Sequence, residues 1–208
     1  MHAASTRDNS DLNVGIDEVG RGCIAGPVVA AAIMIPKHVL AKIAVADSKK
    51  LSAIKREQLA AELLASATSW GIGVIGVKII DDINILQATM HAMQTAVQSC
   101  WLKPDYAWVD GRDVPKLTIP AKAIIGGDSQ VPLISAAGII AKVYRDSLMQ
   151  VYAKQFPHYG FAKHKGYGTK LHLEMLQQHG VCSIHRKSFA PVSLVHRQNV
   201  NKACATSM

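Results

Sequence analysis

The stretch NVGIDEVGRGCIAGPVVAAAIMI, Asn13 to Ile35, decides the fold class. Asn13 to Val19 reads as a strand that runs into a glycine-rich turn, and Val28 to Ile35 reads as a second strand, so uniformly apolar that both of its faces must be covered. Pro36 closes it. Gly20-Arg21-Gly22 with Gly26 after a strand superficially matches a dinucleotide-binding fingerprint. That fingerprint has to open a helix whose N-terminus receives the pyrophosphate, whereas Pro27 and the β-branched Val28, Val29 and Ile33 predict a strand. What remains distinctive is an acidic pair, Asp17-Glu18, at the end of the first strand.

Outward from this hairpin, strands and helices alternate. Ser52 is a suitable N-cap for a helix through about Ala67, with Leu59, Leu63 and Leu64 on one side, and Ile72 to Ile79 alternates as a strand. Ile85, Ala88, Ala92, Met93, Ala96, Val97 and Cys100 repeat at helical spacing behind Asp81 and Asp82, which are assigned to capping. Tyr106 to Val109 and Ala121 to Ile125 are short strands that end at Asp110-Gly111 and at Gly126-Gly127-Asp128. A helix over about Leu133 to Val151 carries a stripe of mostly small residues, Ala137, Gly138 and Ala141 among them, suited to close packing on a sheet. Thr169 caps a last clear helix that Gly180 ends, and the stretch after Val195 shows no usable pattern. The order predicts an α/β layer sandwich, in which ligands gather at the carboxyl ends of strands.

Four acids fall at such ends: Asp17, Glu18, Asp110 and Asp128. Four carboxylates meeting at one sheet edge repel one another unless hard divalent cations lie between them. Mg²⁺ or Mn²⁺ takes oxygen ligands in octahedral geometry and keeps positions open for water and phosphate. Consecutive strand residues point to opposite faces, so Asp17 and Glu18 can serve one site only if the strand ends or bends there, which Gly20 and Gly22 permit.

Composition narrows the classes further. Of 208 residues, 49% are hydrophobic and 18% charged, which suits one domain with a real core and excludes a disordered or fibrous chain. Four dispersed cysteines without a C-x-x-C pair indicate neither a zinc ribbon nor a disulfide framework, and point to a reducing cytosol. His158, His164, His172, His179 and His185 show no compact ligand spacing. The longest aliphatic run is too short to span a bilayer, and the polar N-terminus lacks the apolar stretch of a signal peptide, so a soluble, unprocessed protein is expected. From Val151 onward eight Lys/Arg face Glu174 alone, so nearly all of the formal charge of +8 lies in this segment. Such a face is either solvated or binds a polyanion.

The blocks GIDEVGRGCIAGPVVAAA, DSKKLS, VDG, GGDS, SAAGIIAKVYRD, YGFAKHKGYGT and HRKSFAPV, in this order over about 13–192, resemble ribonuclease HII. The resemblance implies a ribonuclease H-like fold, a mixed five-stranded sheet flanked by helices with a helical C-terminal region. It also implies a divalent-metal endoribonuclease that cuts the RNA strand of RNA–DNA hybrids and cuts 5′ of single ribonucleotides in duplex DNA. Two-metal hydrolysis would leave 3′-hydroxyl and 5′-phosphate ends. Carried over by motif, the metal-binding acids are Asp17, Glu18, Asp110 and Asp128, with Mg²⁺ or Mn²⁺ as cofactor. Asp146, inside the helix beside Arg145, is the rival acid, read instead as making a local ion pair. Gly20, Arg21 and Gly22 match the family's ribose-contacting loop, where the backbone can approach a 2′-hydroxyl, and Tyr167 matches the residue that stacks on the sugar after the ribonucleotide. Lys49 and Lys50 are phosphate-contact candidates. Three positions depart from the family pattern: Cys23 stands where proline is common, Arg112 where asparagine is common, and Gly138 where serine is common. Cys23 is expected to confer mild sensitivity to oxidation. The expected organisation is a flexible 1–12, a catalytic domain over 13–194 whose basic helical part begins near 151, and a loose tail over 195–208. The expectation is a cytoplasmic monomer with no membrane association, any protein partner of the tail being unknown.

Overall fold

The computed structural model describes residues 11–45 and 51–206, with side chains to residue 198. Two compact units emerge: one runs to Val19 and takes in Val29–Val74 and Thr89–Tyr144, and the other comprises Gly20–Val28, Ile75–Ala88 and the chain from Arg145.

The first unit is built on a five-stranded sheet. Its strands are β1 (Asn13–Val19), β2 (Val28–Met34), β3 (Ser69–Ile75), β4 (Tyr106–Asp110) and β5 (Ala121–Ile124), in the order β3-β2-β1-β4-β5. β1 pairs antiparallel with β2, setting Gly15 opposite Ile33 and Val19 opposite Val29, and parallel with β4, setting Asn13 opposite Tyr106 and Ile16 opposite Val109. β5 runs parallel to β4. The mixed five-stranded sheet that the resemblance implies is therefore present. Every residue of β2 is buried, as a strand covered on both faces requires.

The helices follow from local signals. After a single turn, α1 (Lys37–Leu40), comes α2 (Ala53–Ser66), whose Ser52 side chain caps it by accepting from Lys55 N. Ile33 and Ile35, Leu40, Leu59 and Leu63 pack with Ala136, Ala137 and Ile140, which lie in the first half of the helix Pro132–Gln155. Each fully buried aliphatic side chain there stabilises the fold by about 1.5–3 kcal/mol.

Two expectations around residue 80 are corrected. The strand expected over Ile72–Ile79 ends at Ile75, and a helix, α3, runs over Val77–Gln98. Ile80 N already donates to Gly76 O, so Val77 to Ile79 belong to a helical turn although their alternation also fits a strand. Nor do Asp81 and Asp82 cap the apolar helix. Asn84 interrupts α3 at φ 69°, and its Oδ1 accepts from Leu86 N and Gln87 N, so Asn84 is the cap of the second segment. Asp81 accepts instead from Lys187 N, Ser188 N and Ser188 Oγ.

With the long helix Pro132–Gln155 as α4, the rest of the second unit holds α5 (Phe161–His164), α6 (Lys170–His179) and α7 (Ala190–Thr206). Thr169 caps α6 as expected. Past Val195, where the sequence shows no usable pattern, α7 continues to Thr206. Among its described side chains, to residue 198, Val192 and Val195 are buried, against Ile24 and Leu176. Among the described residues no helix is long and apolar enough to cross a membrane.

Candidate metal centre and the glycine-rich loop

The parallel register explains why the acids meet. One step beyond the paired Ile16 and Val109, Asp17 and Asp110 stand at the same level of adjacent strands. Asp17, Glu18 and Asp110 each offer a carboxylate oxygen, and these oxygens lie within 4.8 Å of one another. The strand-alternation problem is solved at the strand end: Asp17 turns back so that its Oδ1 accepts from Glu18 N at 2.6 Å, and β1 ends one residue later at Val19. Asp128 is not one of the three. It follows Gly127 in a single 3₁₀ turn, and Gly127 N donates to Asp110 Oδ1 at 2.7 Å, tying the Asp128 loop to the cluster.

Asp17 is 8% exposed, whereas Glu18, Asp110 and Asp128 are half-buried. Burial first, and then the charges of Glu18 and Asp110, hold the Asp17 carboxyl well above the ordinary carboxylate range, with a smaller push from Asp128, while the bond from Glu18 N works the other way. An all-oxygen donor set whose charges disfavour one another is the environment that a hard divalent cation relieves. The residues present therefore fit such an ion.

The second unit fixes the loop that follows the acids. Arg186, fully buried, donates from Nη2 to Gly20 O (2.7 Å), from Nη1 to Arg21 O (2.9 Å) and from Nε to Gly26 O (3.0 Å). Arg145, also fully buried, donates to Pro27 O, Ala25 O and Lys165 O. The Arg145 guanidinium thus clamps backbone carbonyls. Because the C=O and N–H of a trans peptide point in opposite directions, drawing in the Gly20 and Arg21 carbonyls turns the N–H groups of Arg21 and Gly22 the other way. Gly20 makes this course possible at φ 96°, a conformation a side chain would strain.

Tyr167 pairs with Cys23 through an isolated antiparallel bridge and leaves 42% of its surface exposed. Cys23 is fully buried, so the expected sensitivity to oxidation is not supported by access. Lys49 and Lys50 lie outside the described residues. Two features escape sequence reasoning, the carbonyl clamp of Arg145 and Arg186 and a buried histidine cluster, although the blocks YRD and HRKSF hold both arginines and His185.

Residues 14–192 match the family described as ribonuclease HII. The chain belongs to the ribonuclease HII family. The ribonuclease HII of Polaromonas sp. (strain JS666 / ATCC BAA-500) is 50% identical over 190 residues, covering 91% of this chain and 95% of its own. That of Verminephrobacter eiseniae (strain EF01-2) is 51% identical over 185 residues, 88% of each chain. The crystal structure of ribonuclease H2 from Pyrococcus horikoshii OT3 matches with a TM-score of 0.76 at 26% identity, covering 89% of this chain and 97% of that one. The activity is accordingly that of a ribonuclease HII, a metal-dependent endoribonuclease.

Proposed function

We propose that this ribonuclease HII cuts the RNA strand of RNA–DNA hybrids and cuts on the 5′ side of single ribonucleotides in duplex DNA, leaving 3′-hydroxyl and 5′-phosphate ends. The observation that carries this reading is the meeting of the Asp17, Glu18 and Asp110 carboxylates at the ends of adjacent parallel strands. Asp17, Glu18, Asp110 and Asp128 are the residues that would hold Mg²⁺ or Mn²⁺. When bound, such ions supply an activated water and neutralise charge developing on the phosphate and the leaving 3′-oxygen.

The chain's own groups supply placement and selectivity. Asp17, the most buried of the acids, is the central ligand, and Asp110 is held in orientation by Gly127 N. Val19 alone separates Glu18 from Gly20, so the loop that reads the sugar follows directly from the acids in the chain. The N–H groups of Arg21 and Gly22, turned away from Arg186, meet the ribose 2′-hydroxyl, the group by which RNA differs from DNA. The exposed face of Tyr167 stacks on the following deoxyribose, and Lys49, Lys50 and the basic C-terminal segment contact phosphates. The working setting is the cytoplasm, with the enzyme a monomer on its nucleic acid.

The test is an end-labelled DNA duplex carrying one ribonucleotide, incubated with Mg²⁺, Mn²⁺ or a chelator. A single metal-dependent cut 5′ of the ribonucleotide, absent in Asp17→Asn, supports the reading. Degradation of a long hybrid with the single ribonucleotide left intact would refute the cleavage site.

A further inference from the structure

Three histidines that the proposed function leaves unused form a buried chain in the second unit. His164, His172 and His185 are 8%, 0% and 1% exposed. Their protonation is dictated by their partners. His172 Nδ1 lies 2.8 Å from Tyr167 O, and a carbonyl only accepts, so that nitrogen carries the proton. His185 Nδ1 accepts from Cys182 N at 3.0 Å, with Cys182 Sγ also 3.0 Å away, so the His185 proton is on Nε2. The two Nε2 atoms are 3.1 Å apart, with His185 donating and His172 accepting. All four ring nitrogens are engaged, and the arrangement closes only with both rings neutral and in opposite tautomers. Burial, which drives both rings down to about 4, agrees with this.

His164 stacks on His172 with ring centroids 4.2 Å apart and 13° between planes. Its Nδ1 accepts from Gly166 N, and its Nε2 donates to Tyr159 O. The Lys165–Gly166 and Tyr167–Gly168 peptides are thereby gripped from within by two histidines. The grip is needed because Lys165 is held at φ 51°, in the left-handed region that disfavours side chains. The loop keeps a shape it would not choose alone.

We propose that His172 is a positioning residue for substrate selectivity: by donating from Nδ1 to the Tyr167 carbonyl, in the tautomer fixed by His185 and the Cys182 backbone, it sets the attitude of the Tyr167 ring towards the ribose–deoxyribose junction. This rests on the reading of Tyr167 as the junction contact. A histidine that merely filled the core would support both kinds of substrate equally.

The experiment compares kcat/KM on a duplex with one ribonucleotide against kcat/KM on a uniform RNA–DNA hybrid, for wild type, Tyr167→Ala, His172→Leu, His172→Asn and the Tyr167→Ala/His172→Leu double variant. His172→Leu is expected to lower the ratio by about three- to tenfold, the range a single hydrogen bond carries. His172→Asn, whose amide N–H replaces that of Nδ1, should restore most of it, and His172→Leu should change nothing further once Tyr167 is alanine. Equal losses on both substrates, or a further fall in the double variant, would overturn the assignment. If Tyr167→Ala itself leaves the ratio unchanged, the junction reading fails and the proposal goes with it. Long-range ¹H–¹⁵N spectra of the wild type at pH 7 test the geometry without any variant: Nδ1-protonated His172 with Nε2-protonated His185 is expected, and the reverse tautomer at His172 would refute the mechanism.

Discussion

Gly138 on α4 faces the carboxylate of Asp17 so closely that a Cβ built on it would fall on Asp17 Oδ2. The acid at the centre of the site rests against bare helix backbone, in space that any side chain at 138 would contest.

Gly138→Leu should displace the Asp17 carboxylate from its two acidic neighbours. Overpacking of this kind costs about 1–3 kcal/mol, and here part of it falls on metal binding. The Mg²⁺ concentration for half-maximal cleavage should therefore rise by about tenfold, as a metal titration would show. An unchanged half-saturation would mean that Asp17 does not have to hold its present place.

Asp17→Asn should abolish cleavage and yet raise the melting temperature in chelator at neutral pH. The folded-state pKa of Asp17 lies above its unfolded value, because burial and like charges disfavour the anion. Stability linked to this group is complete below the unfolded pKa and is lost as pH rises through the folded one. At neutral pH, above the unfolded pKa, this carboxyl group opposes folding, and a neutral amide that can still accept from Glu18 N removes the penalty. Thermal melts in excess EDTA decide it.

The histidine pair predicts the opposite slope. His172 and His185 fall from 6.5 to about 4. Between those values the unfolded chain binds protons that the folded protein refuses, so their contribution is complete above pH 6.5 and is lost as pH falls towards 4. The titratable groups facing them are Tyr159, His164, Cys182 and each other. A melting series should show this acid loss in the wild type and a shallower one in His172→Asn.

Arg186→Met should be severe. It strips the guanidinium donors from the buried Gly20 and Gly26 carbonyls and the part-buried Arg21 carbonyl, a buried carbonyl left unpaired costing about 1–3 kcal/mol, and frees the Gly20 and Arg21 peptides to rotate. A large fall in melting temperature is expected. Arg186→Lys, which keeps the charge and fewer donors, should fold and lose more activity on single ribonucleotides than on long hybrids. A lysine variant with unaltered selectivity would separate the clamp from recognition.

Duplex affinity should fall steeply with salt, since the chain from Val151 carries eight basic residues against one acid. The slope of log Kd against log salt measures how many phosphates are met. A flat slope would leave that charge as a solvated face.

Much of this was legible beforehand, and what was not has a common origin. Strands β1, β2, β4 and β5 and the caps Ser52 and Thr169 announce themselves through local pattern. The α3 kink did not, because Asn84 competes for the cap with two aspartates that look better placed, and only contact with Lys187 and Ser188 shows where Asp81 is used. Arg186 counts in sequence as one charge of the basic segment, and Arg145 as a neighbour of Asp146, until burial shows both donating to carbonyls more than a hundred residues away.

The sequence alone determined that three strands lead to carboxylates, that a glycine turn follows the first, and that a basic segment lies at the C-terminal end. Period, chain-breaking residues and charge are properties of neighbours in the chain, and they survive in a one-dimensional reading. Tertiary structure decided which oxygens converge, which helix glycine makes room for Asp17, and which tautomer each buried histidine holds. Those depend on distances between residues far apart in sequence. A hydrogen bond or a carboxylate cluster is defined only within a few ångströms, and the fold alone sets that scale.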